Sequence, residues 1–275
     1  MPKPVAKGTE MTTPRRDPAE TPAMAGNTVD GVLGGRLRIR QPAAGYRAAI
    51  DPVLLAAAVP AQPGERVLDA GCGVGAAGLC LAARLDGVRV SGIDLQRDLV
   101  ALAAANARDN GLAGRVDFMA GDLLRPPPRL AAGTFDHVMA NPPFVAAGRG
   151  NPPPDPAKAA AAIEGEARLA DWLRFCLTMV RPKGSITVVH RADRLDELLA
   201  LMRQGLGELT VFPLWPGGAP AADGRPKPAK RVIVSGRKGV AAPLALLPGL
   251  VLHAADGMYT EAAERVLRDG AALTP

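Results

Sequence analysis

The sequence predicts an α/β fold in which a mostly parallel sheet of seven strands carries helices on both faces and an antiparallel hairpin at one edge. Two observations support this fold. Short apolar runs alternate with helical patterns through the first five predicted strands, which is typical of parallel strands joined by helices. The last two apolar runs, 209–214 and 232–235, follow each other with only a Pro- and Lys-rich connection between them. Two strands joined in this way pair antiparallel, which predicts the hairpin.

The length of 275 residues supports one large core and leaves little room for a second full domain. Residues 1–28 are polar and punctuated by prolines, so we expect a disordered tail. We expect an N-terminal segment at 29–60, the central domain at 61–238 and a C-terminal extension packed on it at 239–275.

Cysteine usage and hydropathy predict the compartment. The three cysteines are an odd number without metal-ligand spacing, so we expect a reducing cytoplasm and no metal site. No segment resembles a signal peptide or a membrane span, so no membrane association is expected.

A glycine-rich turn follows the first strand of the predicted sheet. Residues 66–70 are mostly apolar, Gly71, Gly73 and Gly75 follow, and 76–85 has a helical pattern. A Cβ at these glycines would block the approach of a ligand to the backbone, and some of them need a positive φ. The spacing is neither that of dinucleotide sites nor that of a phosphate loop ending in Lys-Ser or Lys-Thr. A tight phosphate cradle is therefore not expected.

Acidic residues follow the second and third predicted strands. Asp94 closes the run 88–93, nineteen residues after Gly75, where an acid can accept both hydroxyls of a ribose. Asp122 follows the run 116–120. The carboxyl ends of parallel strands share one edge of a sheet, so these acids are expected to line one ligand site. The alternative for each acid is a solvated turn or a helix cap.

The tetrapeptide Asn141-Pro142-Pro143-Phe144 follows the fourth apolar run. A residue before proline is held in an extended conformation, which fixes the direction of the Asn141 side chain. The two prolines lack a backbone N–H, so the turn offers carbonyl acceptors without competing donors. Phe144 can then stack on a ring that carries an amine. These residues predict a pocket for a planar amine, and the alternative is a Pro-Pro turn followed by a core phenylalanine.

Together these motifs resemble the class I S-adenosylmethionine-dependent methyltransferases over roughly residues 33–238. The resemblance implies a Rossmann-like sheet, S-adenosylmethionine as cofactor and catalysis at Asn141, Pro142, Pro143 and Phe144. It implies a cofactor site made from the strand ends: Asp69, Gly71, Gly73, Gly75, Asp94, Leu95, Asp122, Leu123 and Asn141.

Within that class, the chain most resembles the bacterial valine-tRNA adenine-N6 methyltransferases, which modify the adenosine next to the anticodon. The additional matching features are the segment 45–57 and a short C-terminal element that contains Tyr259 and Thr260. The resemblance implies that the segment 29–60 covers substrate and cofactor, and that Tyr46 and Asp51 bind substrate and close the site over the methionine end of the cofactor.

The formal net charge of +6 indicates an acidic partner. Two stretches rich in basic residues, 31–50 before the central domain and 225–238 at its end, are expected to follow an RNA backbone. The predicted phosphate contacts are Arg47, Lys227, Lys230 and Arg231. The alternative is a pair of solvated loops. With only nine aromatic residues, one flipped base fits better than an extended stacking platform.

Several alternatives stay open at this point. A guanine amine in ribosomal RNA and a glutamine amide on a protein also present two N–H groups to the same acceptors. The roughly thirty N-terminal residues leave no room for the substrate domain of glutamine methyltransferases. A non-catalytic RNA-binding module and a small-molecule amine methyltransferase are the other candidates, and the sequence does not predict the oligomeric state. We expect the loop 145–166 to contact substrate and the three histidines to be satisfied structural residues.

Overall fold

The structure is a computed structural model that describes residues 26–43, 49–144, 166–221 and 223–273. Tyr46, Arg47 and all but the last residue of the predicted loop 145–166 lie outside the described residues. So does nearly all of the predicted tail. Its predicted boundary at residue 28 overlaps the first strand, which begins at Asn27.

Eleven strands and six α-helices are formed by the described residues. The strands are β1 (Asn27–Val32), β2 (Leu37–Pro42), β3 (Arg66–Ala70), β4 (Arg89–Asp94), β5 (Val116–Ala120), β6 (Phe135–Ala140), β7 (Val180–Arg191), β8 (Leu206–Gly217), β9 (Arg231–Lys238), β10 (Ala245–Leu246) and β11 (Leu250–His253). The helices are α1 (Asp51–Ala58), α2 (Ala76–Arg84), α3 (Arg97–Asp109), α4 (Leu169–Met179), α5 (Leu195–Met202) and α6 (Glu261–Leu267).

The central sheet has the strand order β5-β4-β3-β6-β7-β9-β8. Strands β3 to β7 pair parallel, and β9 pairs antiparallel with both β7 and β8. The predicted Rossmann-like α/β fold with an antiparallel edge hairpin is confirmed. Strands β10 and β11 extend the sheet along the outer edge of β8 and were not predicted, because both are short.

Hydrophobic residues on the two faces of the sheet form two core clusters. One cluster joins α1, α2 and α3 to Val67, Val90 and Met139, and the other joins α4 and α5 to Leu68, Val138 and other strand residues. Successive strand residues point to opposite faces, and both faces are covered, so the central strands are apolar throughout.

The β1–β2 hairpin lies against α3 and was not predicted from the sequence. Asn106 is fully buried, and its Oδ1 accepts from the backbone N–H of Arg40 at 2.8 Å while its Nδ2 donates to the Arg40 and Val74 carbonyls, each at 3.0 Å. Asn110, the residue that follows α3, pairs in the same way with the backbone of Arg38. Two amide side chains therefore satisfy the free edge of β2 and tie it to the loop before α2.

We expect Asn106→Ala to lower the free energy of unfolding by about 2–3 kcal/mol, since it leaves the buried carbonyl of Val74 and part-buried backbone groups of Arg40 without partners. In a thermal melt this corresponds to a drop of about 5 °C or more. The control is Asn110→Ala, which removes the more exposed pair and should cost less. Equal losses in the two variants would contradict the role of burial.

Candidate active site

The strand order of the sheet reverses between β3 and β6. Ala70 pairs with Ala140, so the glycine loop 71–75 after β3 and Asn141 after β6 leave the sheet side by side. Open α/β sheets bind ligands at such a switch point. A cavity at this position is lined by Pro52, Asp69, Gly71, Cys72, Gly73, Val74, Ala76, Ala77, Leu99 and Asn141.

The three glycines of the loop all have positive φ, at 71°, 53° and 82°. A Cβ at Gly71 would collide with the Trp172 ring, and a Cβ at Gly75 would lie 2.5 Å from the Phe118 ring. Gly73 differs, because nothing lies within 4 Å of the position where its Cβ would stand. The loop is thus packed from behind by two rings and open at Gly73, where a ligand can reach the backbone.

Asp94 fixes this loop from the end of β4. Its Oδ2 accepts from the Gly73 N–H at 2.8 Å and its Oδ1 accepts from the Gln96 N–H at 2.9 Å. Burial raises the pKa of this carboxyl, while the hydrogen bonds from Gln96 and Gly73 lower it. Each oxygen keeps a further lone pair, so the group can still accept hydroxyls of a ribose.

Asp69 is the most buried carboxyl of the site, at 2% exposure. Its Oδ2 accepts from the Gly78 N–H at 3.1 Å in the first turn of α2. The pKa of Asp69 is raised to about 7, mainly by burial. The Gly78 hydrogen bond lowers this pKa and the neighbouring Asp94 charge raises it, and both effects are smaller than that of burial. A buried carboxylate beside the cavity favours a cationic group there.

We expect Asp69→Asn to gain stability relative to the wild type as the pH rises. The pKa of Asp69 is raised by folding, so its contribution to stability is present at low pH and is lost as the pH rises toward 7. Between pH 5 and pH 8 the difference in unfolding free energy should shift in favour of the variant by about 3 kcal/mol. Denaturant titrations at the two pH values measure this shift, and a pH-independent difference would contradict the buried carboxyl.

The third acid, Asp122, lies at the same edge and is only partly buried, unlike Asp69. The Asp122 Oδ1 accepts from the Leu124 N–H at 2.9 Å, and its Oδ2 accepts from the Arg125 Nε at 3.3 Å. Leu123 packs partly against the core, and Leu95 beside Asp94 is 71% exposed. The structure therefore places Asp94, Leu95, Asp122 and Leu123 along one edge, as adjacent strand ends require.

The tetrapeptide 141–144 makes contacts that the sequence did not indicate. The Arg231 guanidinium lies over the Phe144 ring at 4.2 Å from its centroid, and the Arg231 Nε donates to the Asp51 carboxylate at 3.2 Å. Helix α1 is thus linked through β9 to the end of β6. Arg231 and Asp51 were predicted as substrate contacts, and the structure pairs them with each other beside Phe144.

The basic stretch 225–238 does not form one continuous surface. Lys227 and Lys230 are exposed before β9. Arg237 pairs with Glu208 at 3.1 Å, and Lys238 donates to the carbonyls of Leu177 and Val180. Because β9 runs antiparallel to β7, its last residues lie beside the amino end of β7, whereas the site lies at the carboxyl ends of the parallel strands. Arg237 and Lys238 are therefore structural residues, and only the part of this stretch before and at the start of β9 lies near the site.

The prediction that all three histidines are satisfied holds for two of them. His137 has Ser185 at 2.7 Å and Glu65 at 2.8 Å from its two ring nitrogens, and His253 has the Pro216 carbonyl at 2.8 Å and stacks on Tyr259. His190 differs. Its Nε2 is buried and has no hydrogen-bond partner among the described residues.

Sequence reasoning also missed Trp172, Pro52 and Leu99. Trp172 on α4 packs behind Gly71, and Pro52 and Leu99 line the cavity from α1 and α3. Nothing in their local sequence distinguishes them from core residues. Only the fold brings them to the glycine loop.

Two further findings concern the described ranges only. No helix there is long and apolar enough to cross a bilayer. No cluster of three or more His, Cys, Asp or Glu side chains in those ranges is arranged to hold a metal ion.

Known proteins match this chain both in sequence and in fold. Residues 48–152 match the family described as Methyltransferase small domain. The range includes the glycine loop, both strand-end acids and residues 141–144. A crystal structure of a predicted O-methyltransferase from Agrobacterium tumefaciens superposes with a TM-score of 0.66 at 22% identity, covering 82% of this chain and 99% of that one. This likeness shows the fold.

Three relatives illustrate the range of acceptors. The tRNA1(Val) (adenine(37)-N6)-methyltransferase of Dickeya chrysanthemi is 26% identical over 230 residues, covering 80% of this chain and 85% of that protein. The rRNA N(6)-adenosine-methyltransferase metl-5 of Caenorhabditis elegans is 24% identical over 173 residues, with 63% and 73% covered. The release factor glutamine methyltransferase of Moorella thermoacetica is 34% identical over 143 residues, which is 50% of each chain.

Proposed function

We propose that this chain, which belongs to the S-adenosylmethionine-dependent methyltransferases, transfers a methyl group to N6 of an adenine in RNA. The acceptor we propose is the adenosine next to the anticodon of a tRNA. The observation that carries the proposal is the placement of Asn141, which lines the same cavity as the glycine loop at the reversal of the strand order. An amine held by the tetrapeptide 141–144 would lie next to the cofactor site.

The residues of the chain can hold the cofactor. Gly73 offers an open backbone, Asp94 offers acceptors for ribose hydroxyls, and the buried Asp69 favours a cationic group. S-adenosylmethionine supplies a methyl group on a sulfonium, which is already a strong electrophile. The protein must chiefly align the acceptor nitrogen with that methyl group.

Asn141 and Pro142 would supply most of the stabilisation of the transition state. The amine of adenine is a poor nucleophile, because its lone pair is delocalised into the ring. When the Asn141 Oδ1 and the Pro142 carbonyl accept its two hydrogens, the lone pair turns toward the methyl group. Positive charge develops on the nitrogen as it is methylated, and both hydrogen bonds strengthen. The proton can then leave to solvent, so no dedicated base is needed.

Phe144 would hold the plane of the base. One side of its ring carries the Arg231 guanidinium, which is itself held by Asp51. The ring is half-buried, so a base can stack on the part that Arg231 leaves accessible. The arrangement suits a single flipped base, in which the target nucleotide leaves its stack.

The relatives favour adenine in RNA over the other acceptors. The names of two of the three relatives given above specify adenine N6 in RNA, and the relative named for glutamine is matched over half its length. Guanine N2 and a protein amide nevertheless offer the same two N–H groups to Asn141. The assay must therefore distinguish all three acceptors.

Labelling with a radioactive methyl donor tests the acceptor class. Total tRNA, ribosomal RNA and protein from a strain that lacks this protein are incubated separately with the purified enzyme. We expect label in the tRNA fraction and little in the other two. Label confined to protein or to ribosomal RNA would overturn the proposed acceptor.

We expect Lys227→Gln combined with Lys230→Gln to weaken tRNA binding and to reduce its dependence on salt. Each lost phosphate contact lowers the slope of log affinity against log salt by roughly 0.7–0.9, so the pair should lower it by roughly 1.5. The control is Arg237→Gln, since Arg237 pairs with Glu208 at the opposite edge of the sheet. An unchanged slope in the lysine variant would exclude these two residues as phosphate contacts.

A further inference from the structure

His190 stands at the carboxyl end of β7, next to the proposed methylation site. Its side chain is fully buried. The register pairs Ala140 of β6 with Val188 of β7, so His190 is level with Pro142 as the two strands continue. Its ring contacts the Phe144 ring in a T-shaped arrangement, with 5.6 Å between the ring centroids. His190 therefore packs directly against Phe144 of the tetrapeptide.

The hydrogen bonds of His190 define its tautomer. The Nδ1 atom accepts from the backbone N–H of Arg191 at 2.7 Å, so it carries no proton. Burial, together with the smaller effects of the Arg194 and Arg231 charges, lowers the pKa of His190 to about 4. The ring is therefore neutral at pH 7, and its single proton lies on Nε2.

The Nε2–H group is a buried donor that lacks an acceptor within the ranges that the structure describes. Leaving such a donor unpaired costs about 1–3 kcal/mol, which an apolar residue in its place would avoid. His137 illustrates the ordinary structural case, because both of its ring nitrogens have partners. The unpaired donor at His190 thus points to an acceptor on a ligand.

We propose that the His190 Nε2–H donates a hydrogen bond to a ring nitrogen of the methylated base, beside the amine held by Asn141 and Pro142. The inference rests on the proposed function and adds a residue that selects the base. In adenine the amine is flanked by N1 and N7, and both are acceptors. In guanine the N2 amine is flanked by the N1–H donor and by the N3 acceptor. A fixed donor on the side of N1 would therefore form a hydrogen bond with N1 of adenine. In guanine the same donor would face the N1–H donor, so guanine would be disfavoured.

A matched pair of variants separates the two ends of the imidazole. His190→Asn keeps an acceptor near the position of Nδ1 for the Arg191 N–H but does not reach the position of Nε2. His190→Gln reaches the Nε2 position with an amide donor. The substrates are synthetic anticodon stem–loops that carry adenosine, 1-deazaadenosine or 7-deazaadenosine beside the anticodon, since each deaza base lacks one ring acceptor.

With the wild type, we expect one of the two deaza substrates to show a kcat/KM about tenfold lower than the adenosine substrate, as the loss of one hydrogen bond requires. His190→Asn should lose about the same factor on adenosine and should no longer discriminate against that deaza substrate. His190→Gln should retain part of the discrimination. Neither variant should melt at a lower temperature by more than a few degrees, because the lost donor has no hydrogen-bond partner among the described residues.

If His190→Asn discriminates between the adenosine and deaza substrates as strongly as the wild type does, the proposed role of His190 is wrong and the proposed function still stands. The same holds if the wild type methylates both deaza substrates as fast as adenosine. If the wild type methylates none of the adenosine stem–loops and no adenine in total tRNA, the proposed function fails, and the role of His190 fails with it.

Discussion

Replacing Asn141 by alanine is expected to lower kcat by about 10²- to 10³-fold, the range seen when one preorganised hydrogen bond to a transition state is removed. The affinity for S-adenosylmethionine should change by less than about threefold. The two effects separate because the Asn141 Oδ1 would bind the amine of the acceptor, whereas the glycine loop and Asp94 would bind the cofactor. Single-turnover methyl transfer and calorimetric titration measure the two quantities independently.

Asn141→Asp is the matched control for this prediction. The variant keeps an acceptor oxygen at the same distance from the backbone, so we expect it to retain more activity than the alanine variant. If the alanine variant transfers methyl groups within tenfold of the wild-type rate, Asn141 does not accept a hydrogen bond from the amine.

Asp94→Ala is expected to weaken cofactor binding and to leave kcat largely unchanged, whereas Asn141→Ala lowers kcat and leaves cofactor binding largely unchanged. The side chain holds the Gly73 and Gln96 N–H groups and offers its remaining lone pairs to a ribose. Its removal should weaken S-adenosylmethionine binding by about 100-fold or more, since hydrogen bonds to a charged group contribute about 1.5–3 kcal/mol each. At saturating cofactor, kcat should fall much less than it does in Asn141→Ala.

Asp94→Asn provides the control, because one amide oxygen replaces two carboxylate oxygens in the same geometry. We expect an affinity between those of the wild type and Asp94→Ala. Circular dichroism should show that both variants keep the wild-type helix content. Wild-type calorimetric affinity in Asp94→Ala would exclude Asp94 as the ribose acceptor.

The local patterns of the sequence predicted the seven central strands, the glycine turn and the residues at the strand ends. Each of these features depends on a short segment: apolar runs predict strands, glycines mark a turn, and parallel strands bring Asp94 and Asn141 to one edge. The β1–β2 hairpin was missed because its edge is satisfied by Asn106 and Asn110, which lie 66 and 72 residues away in the chain from the residues they bind.

The contacts around Phe144 were unpredictable for the same physical reason. Arg231 lies 180 residues from Asp51, and the sequence suggested only that both would contact substrate. Trp172 packs against Gly71 from a helix about a hundred residues later in the chain. The sequence around Trp172 predicts a helix but does not indicate a contact with the glycine loop. The unpaired His190 donor depends on the positions of single atoms, which no sequence pattern records.

The most direct test of the proposed reaction is to identify the atom that receives the methyl group. Wild-type enzyme, labelled S-adenosylmethionine and unmodified tRNA are incubated together, and the tRNA is digested to nucleosides for chromatography and mass spectrometry. The proposed reaction predicts N6-methyladenosine as the labelled product, and its loss with Asn141→Ala. Label in N2-methylguanosine, or in an adenosine methylated on a ring atom, would contradict it.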